Sequence, residues 1–424
     1  MFEIINVNGI SVILSSMPGF STTGLGVFVR AGARFEDKTV KGIAHFTEHM
    51  LFKGTDKFSY KDIKQEIEGR GGSLNGYTAQ ESAAYYAQFL KKNLEVTFDI
   101  LGDMVTRPGF DQKEIEKERN VVLEELKMYN DLPHFRALSL LDQQLWPDHP
   151  LGQDIIGTVD SVKKIGRKDF QSFKNRFYRP EHMCICCVGD VPRDKLVFLV
   201  KNKFSSSGKK KIKFAGKQPQ PLKGRKIAAE HKPLDQTHLC LGFRGVSYKD
   251  EFRFEEELLH VVLGANMSSR LFEEVREKRG LCYDVSTDTK KFADSGAFII
   301  HCGLDEKNVP LALARIIREL KKIKKRLAGK RELERAKDYL LGQLSMSLER
   351  TGGRMFYCAE SYLNQGKILS FFQLEQRIRR IEPEALTSLA DKIFNFDKMC
   401  ISCVGNVDDN INKTLSRVVD QETR

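Results

Sequence analysis

A chain of 424 residues, 41% hydrophobic and 30% charged, is too long for one hydrophobic core and suits two domains of about 200 residues each; that balance excludes intrinsic disorder. The net charge of +12 invites a polyanion, because Lys and Arg neutralise phosphate, but the excess gathers in residues 201–226 and 321–331, neither of which interleaves aromatics in the manner of a base-stacking platform. Both runs read as solvated linker and helix faces, so no nucleic-acid partner is expected.

The start, MFEIINVNGISVILSSMPG, alternates apolar and polar residues like a strand and has no secretory-signal pattern. No apolar stretch approaches the roughly 20 residues that cross a bilayer, so no membrane span and a cytoplasmic location are expected. β-Rich segments at 25–30 and 239–243 open two similar halves. Periodicity predicts helices near 39–53, 60–69, 92–106, 111–129, 252–263, 309–327 and 330–348. Nine cysteines, several inside apolar runs such as Cys184-Ile-Cys186-Cys187, read as small buried hydrophobes rather than disulfides.

Between the halves, SSSGKKKIKFAGKQPQPLKGRK carries no sustained apolar period and reads as a linker. Each half ends in nearly the same strand, Met183-Cys-Ile-Cys-Cys-Val-Gly-Asp-Val191 and Met399-Cys-Ile-Ser-Cys-Val-Gly-Asn-Val407. A nine-residue strand recurring half a chain apart argues for internal duplication. The expected fold is α+β: two similar domains, 1–204 and 227–424, joined by a linker at 205–226, each an antiparallel-rich sheet with helices packed on one face.

The first predicted helix contains His45-Phe-Thr-Glu-His49, with Thr39 as candidate cap and Gly54 as candidate stop. Histidines four apart project from one helix face and can reach one Zn²⁺ at about 2.0–2.1 Å. Glu48 flanks that face as a base without needing to be a ligand. A catalytic zinc takes three protein ligands, and the acidic helix around 114–125 offers carboxylates. Glu118 and Glu125 lie two turns apart on one face while Glu124 points elsewhere. Spacing alone does not choose between them, and a solvated charged face has the same pattern.

The string His45-Phe-Thr-Glu-His-Met-Leu-Phe-Lys-Gly-Thr55, with Leu74-Asn-Gly-Tyr-Thr78, Tyr85-Tyr-Ala87 and the Glu118/Glu125 pair, closely resembles the pitrilysin family, in particular its mitochondrial processing peptidase-like branch. The likeness continues through His149-Pro-Leu-Gly152, Ile156-Gly-Thr158 and Ser268-Ser-Arg-Leu-Phe272. It implies a zinc endopeptidase with one Zn²⁺ per chain, held by His45, His49 and Glu125. Glu48 would activate the attacking water, and Glu118 would orient a ligand. Asn75, with Leu74, Gly76 and Tyr77, resembles the strand beside the metal onto which an extended peptide adds, although Gly71 and Gly72 just before it could equally mark only a loop.

In the second half the aligned segment is His260-Val-Val-Leu-Gly264, which lacks the base and the second histidine; His260 then reads as an ordinary helix residue. Arg276 and Tyr283 match the pair that reaches the bound peptide in the family, where a surface Arg and a packed Tyr would be the plain reading. The resemblance also implies a homodimer closing on a peptide substrate, with this pair serving the zinc of its own chain or its partner's. Some members of the family have lost their ligands and act as structural or activating subunits, a role that keeps the alternative of a noncatalytic chain in view.

Overall fold

The strand that recurs half a chain apart forms the middle of two separate sheets. The computed structural model describes residues 2–205, 218–325 and 328–424. Its first sheet contains β1 (Phe2–Val7), β2 (Ile10–Ser16), β3 (Thr22–Val29), β4 (Ser73–Thr78), β5 (Ala83–Leu90) and β6 (Met183–Gly189), in the order β1-β2-β6-β3-β5-β4. The second contains β7 (Lys226–His231), β8 (Thr237–Gly245), β9 (Cys282–Lys291), β10 (Gly296–Leu304) and β11 (Cys400–Gly405), in the order β7-β11-β8-β10-β9. With β1 set aside, the two orders correspond strand for strand. Pairing directions correspond too: β2 with β6 and β7 with β11 are parallel, and every other pair is antiparallel. An α+β fold built by duplication accounts for this, as the repeated strand predicts.

All seven residues of β6 and all six of β11 are buried. A strand with one wet face alternates, so a continuous buried run means that both faces are covered. On one face of the first sheet, Met355, Cys358 and Ala359 of the helix Thr351–Gln365 pack on Ile13, Phe28, Cys184, Cys186 and Val188. Each large apolar side chain enclosed this way contributes about 1.5–3 kcal/mol. Close approach is possible because β3 carries Gly24 and Gly26; a Cβ at Gly24 would stand 3.1 Å from the Thr351 carbonyl oxygen. The helix Leu94–Thr106 packs against the same sheet.

In the second sheet, the helix Pro133–Leu145 sets Ala137, Leu141 and Leu145 against Cys240, Ile299, Cys400 and Val404. The larger core on the opposite face joins Leu239, Leu241, Phe243, Phe298, Ile300 and Ile401 to the helices Arg253–Leu263, Val309–Lys325 and Pro383–Ile393. Helices thus cover both faces, where the order of segments led us to expect one. The reason lies in the make-up of the two compact units: Met1–Lys127, Asp154–Gly216 and Ser345–Ser370 form one, and Met128–Gln153, Lys217–Leu344 and Phe371–Arg424 the other. Each therefore takes a covering helix from the opposite half of the chain.

All nine cysteines are buried and unpaired by disulfides, as small hydrophobes. In the second basic run, Lys322 pairs with Glu319 and Lys324 with Asp391; residues 326–327 and, in the first run and the linker, 206–217 lie outside the described residues. No helix among the described residues is long and apolar enough to cross a membrane.

Candidate metal centre and active site

The HxxEH segment lies on the helix Ile43–Leu51. Its start differs from expectation, since Thr39 sits in a separate turn, Lys38–Val40, and caps nothing. Gly42 interrupts the helix with φ 87°, in the left-handed region that favours glycine. A Cβ there would also meet the Ile156 carbonyl oxygen at 2.4 Å. The Glu36 carboxylate serves as the cap, one oxygen accepting from the Gly42 N–H and the other from the Ala44 N–H, each at 2.8 Å. Burial raises the Glu36 pKa to about 8, against the pull of these two donors.

The opposing carboxylates come from the helix Gln112–Asp131. Glu125 lies with one oxygen 3.8 Å from His45 Nε2 and the other 3.3 Å from His49 Nε2. Two imidazole nitrogens and a carboxylate oxygen converge within 4.8 Å of one another, the donor set and openness that suit a three-ligand zinc site. Glu118, on the same helix face, accepts from His49 Nδ1 at 2.9 Å; a ligating histidine is commonly oriented by a carboxylate on its other nitrogen in this way. His45 Nδ1, by contrast, is buried with no hydrogen-bond partner. The donor set fits a zinc ion.

The electrostatics follow from this crowding. Burial, then the neighbouring His49, pulls His45 down to about 4, and Glu125 only partly opposes it. For His49 burial acts downward as well, but the hydrogen bonds to Glu118 and Glu125 outweigh it and lift the ring to about 9. Glu118 is buried, which alone would raise its pKa, yet His49 and Lys53 hold it below the usual carboxylate range. Burial raises Glu48, and a hydrogen bond donated by the Thr78 hydroxyl to Oε2 at 2.6 Å counters part of that. A base raised above an ordinary carboxylate suits proton transfer.

Thr78 and Lys53 escaped the sequence reading. Lys53 stands one turn beyond His49, a spacing that places it on the motif face; for Thr78 only its place at the end of the Leu74-Asn-Gly-Tyr string was available. The string is β4, which pairs with β5 and ends the sheet. Within it Leu74 is buried while Asn75 is exposed, so a peptide adding here would meet main chain and alternate side chains. The Leu74 side chain belongs to the core. Gly76 admits the Phe52 ring, which a Cβ would approach to 3.1 Å, and Tyr77 donates to Glu360 at 3.0 Å. Gly71, at φ 79°, closes the turn that leads into the strand.

In the second unit, His260 is bonded to the Thr287 hydroxyl at 2.7 Å. Gly264 ends its helix against β9, where a Cβ would lie 2.6–2.7 Å from Thr287 atoms. Position 264 is thereby closed to any side chain by packing. Arg276 and Tyr283 belong to this unit as well. The Arg276 guanidinium lies over the Phe272 ring at 4.6 Å and the Tyr283 ring at 5.5 Å, and Tyr283 is 76% exposed.

Residues 11–159 match the family described as Insulinase (Peptidase family M16), and residues 164–340 match the Peptidase M16 inactive domain. The chain is 32% identical to the uncharacterized zinc protease YmxG of Bacillus subtilis, over 92% of this chain and 95% of that one. It is 36% identical to an uncharacterized zinc protease of Mycobacterium tuberculosis strain H37Rv, over 90% of this chain and 88% of that one. In fold it is similar to a protease from Helicobacter pylori, with TM-score 0.90 at 22% identity over 96% of this chain and 99% of that one. A peptidase M16 inactive domain from Pseudomonas fluorescens gives 0.87 at 22% identity, over 96% and 98%. The chain belongs to peptidase family M16, the insulinase/pitrilysin-like family. The Bacillus and Mycobacterium relatives carry the name zinc protease.

Proposed function

We propose that this protein is a zinc-dependent endopeptidase of the mitochondrial processing peptidase-like branch, cleaving extended or unfolded peptides within a closed chamber. The observation that carries the reading is the convergence of His45 Nε2, His49 Nε2 and the Glu125 carboxylate beside Glu48. His45, His49 and Glu125 would hold one Zn²⁺, with Glu118 fixing the tautomer and direction of His49. When bound, zinc supplies Lewis acidity, polarising the scissile carbonyl and lowering the pKa of water toward ~7.

The remaining steps belong to the chain. Glu48, held by the Thr78 hydroxyl, takes a proton from the attacking water and later delivers it to the leaving amine. The peptide pairs through its backbone with β4, around Asn75 and Gly76, which admits varied sequences because main-chain groups are common to all substrates. Arg276 holds the peptide and Tyr283 donates to the developing oxyanion, in the same chain or across a homodimer. We place the protein in the cytoplasm.

The decisive experiment is Glu48→Gln, assayed for zinc content and for digestion of an oligopeptide library with product mass analysis. We expect zinc retained and cleavage abolished. A wild-type chain that holds zinc yet cuts nothing would instead be a structural or activating subunit, and a Glu48→Gln chain that still cuts would remove Glu48 from its role.

A further inference from the structure

Among the described residues one other group of metal-ligating side chains converges: His134, His238 and His301, all in the second unit. His238 on β8 and His301 on β10 are fixed by strand register. His238 pairs with Gly303, and His301 with Cys240, so the two imidazoles are diagonal neighbours on one face of the sheet. His134, second residue of the helix Pro133–Leu145, comes down on that same face. Residues far apart in sequence thus meet at a point.

Hydrogen bonding does not explain how they meet. Nδ1 of His134 and Nδ1 of His238 each lie 3.0 Å from the same atom, Nε2 of His301. A ring nitrogen has one in-plane site, which is either a proton or a lone pair. It can therefore make one good hydrogen bond, and the second nitrogen at 3.0 Å is left against it with nothing to share. A cation satisfies all three lone pairs together. With metal–nitrogen bonds of about 2.0–2.1 Å, two nitrogens 3.0 Å apart subtend roughly 90–100° at the metal, between octahedral and tetrahedral angles.

The surroundings are consistent with a metal. The other nitrogen of His301, Nδ1, faces the Asp284 carboxylate on the adjoining strand β9 at 3.7 Å, the kind of outer carboxylate that supports a ligating histidine. Burial, helped for His238 and His301 by the neighbouring rings, lowers all three histidines, His301 to about 3. Neutral imidazole is the form that binds metal.

We infer that His134, His238 and His301 form a second metal site, taking a divalent transition ion such as Zn²⁺, Co²⁺ or Ni²⁺ with solvent in its remaining positions, and clamping the helix Pro133–Leu145 to the sheet. Imidazole donors favour these ions over Mg²⁺ or Ca²⁺. The site shares no residue with the HxxEH centre, and its existence does not depend on the peptidase reading.

The test uses the full chain carrying His45→Ala and His49→Ala, so that the HxxEH site cannot contribute. Titration with Co²⁺ alone, followed by visible absorption and equilibrium dialysis, should show one equivalent bound and displaced by Zn²⁺. Adding His134→Ala or His238→Gln should weaken binding at least tenfold, and metal should raise the melting temperature of the parent but not of these variants. Circular dichroism without metal confirms that each is folded; His134→Ala, at a helix end, serves where His238→Gln does not fold. No bound Co²⁺ in the parent, or binding that survives His134→Ala unchanged, overturns the assignment.

Discussion

Glu118 and His49 are joined at 2.9 Å between Oε1 and Nδ1, and Lys53 holds the other Glu118 oxygen at 2.5 Å. Because Lys53 and His49 keep the buried carboxyl ionised, it accepts the Nδ1–H and turns Nε2 toward Glu125. Glu118→Gln keeps the shape but replaces the charge-assisted acceptor with a weaker one. We expect zinc affinity to fall about 10–100-fold in competition against a chelator, with the fold intact by circular dichroism. Unchanged affinity would reduce Glu118 to an anchor for Lys53.

Thr78 gives a prediction with a different readout. Its hydroxyl donates to Glu48 Oε2 and so favours the ionised form, against burial, which raises the Glu48 pKa. Thr78→Val removes the donor at nearly constant volume. The acidic limb of the pH dependence of kcat/KM should therefore move to higher pH, while the rate on the plateau changes less than in Glu48→Gln. A limb that stays in place would show that Thr78 does not touch the titration of the base.

The motif and the helices near 60–69, 111–129, 252–263 and 330–348 were legible because their signals are local: a 3.6-residue period, a four-residue histidine spacing, a repeated strand. The carboxylate that meets the histidines was not legible from spacing, since Glu118 and Glu125 share a face and both end up against His49; family resemblance chose between them. The covering helices Thr351–Gln365 and Pro133–Leu145 went unread. The first opens Thr-Gly-Gly, which weakens any local helix signal. Even a clear apolar stripe says only that a helix must be covered, not which sheet covers it. The three histidines at 134, 238 and 301 have no common spacing at all, because strand register brings them together.

Glu36 links the helix start to pH. Its pKa is about 8 in the folded chain against 4.5 as a free side chain, so between those values the folded state holds a proton that the unfolded state has lost. Stability from this group is full below pH 4.5 and is lost as pH rises through 8. Glu36→Gln cannot ionise and keeps an oxygen for one of the two N–H donors. In metal-free urea denaturation, wild type should lose stability relative to Glu36→Gln between pH 5 and pH 9. A wild type that gains on the variant over that range would mean that the ionised carboxylate is the capping form.

Gly264 tests whether the second helix is built for packing alone. The Thr287 backbone nitrogen and side chain lie 2.6–2.7 Å from where its Cβ would be, closer than real Cβ contacts come, and the Thr287 hydroxyl is also bonded to His260. Relief requires β9 to move away from the helix Arg253–Leu263, whose Leu258, Leu259 and Val262 are core residues. Overpacking of this kind costs about 1–3 kcal/mol, which for a unit of this size lowers the melting temperature by several degrees. Gly264→Ala should therefore destabilise the protein while leaving the zinc held by the first unit unchanged in stoichiometry. If Gly264→Ala instead removes that zinc without lowering the melting temperature, the helix around His260 takes part in the metal chemistry and is not merely its closed counterpart.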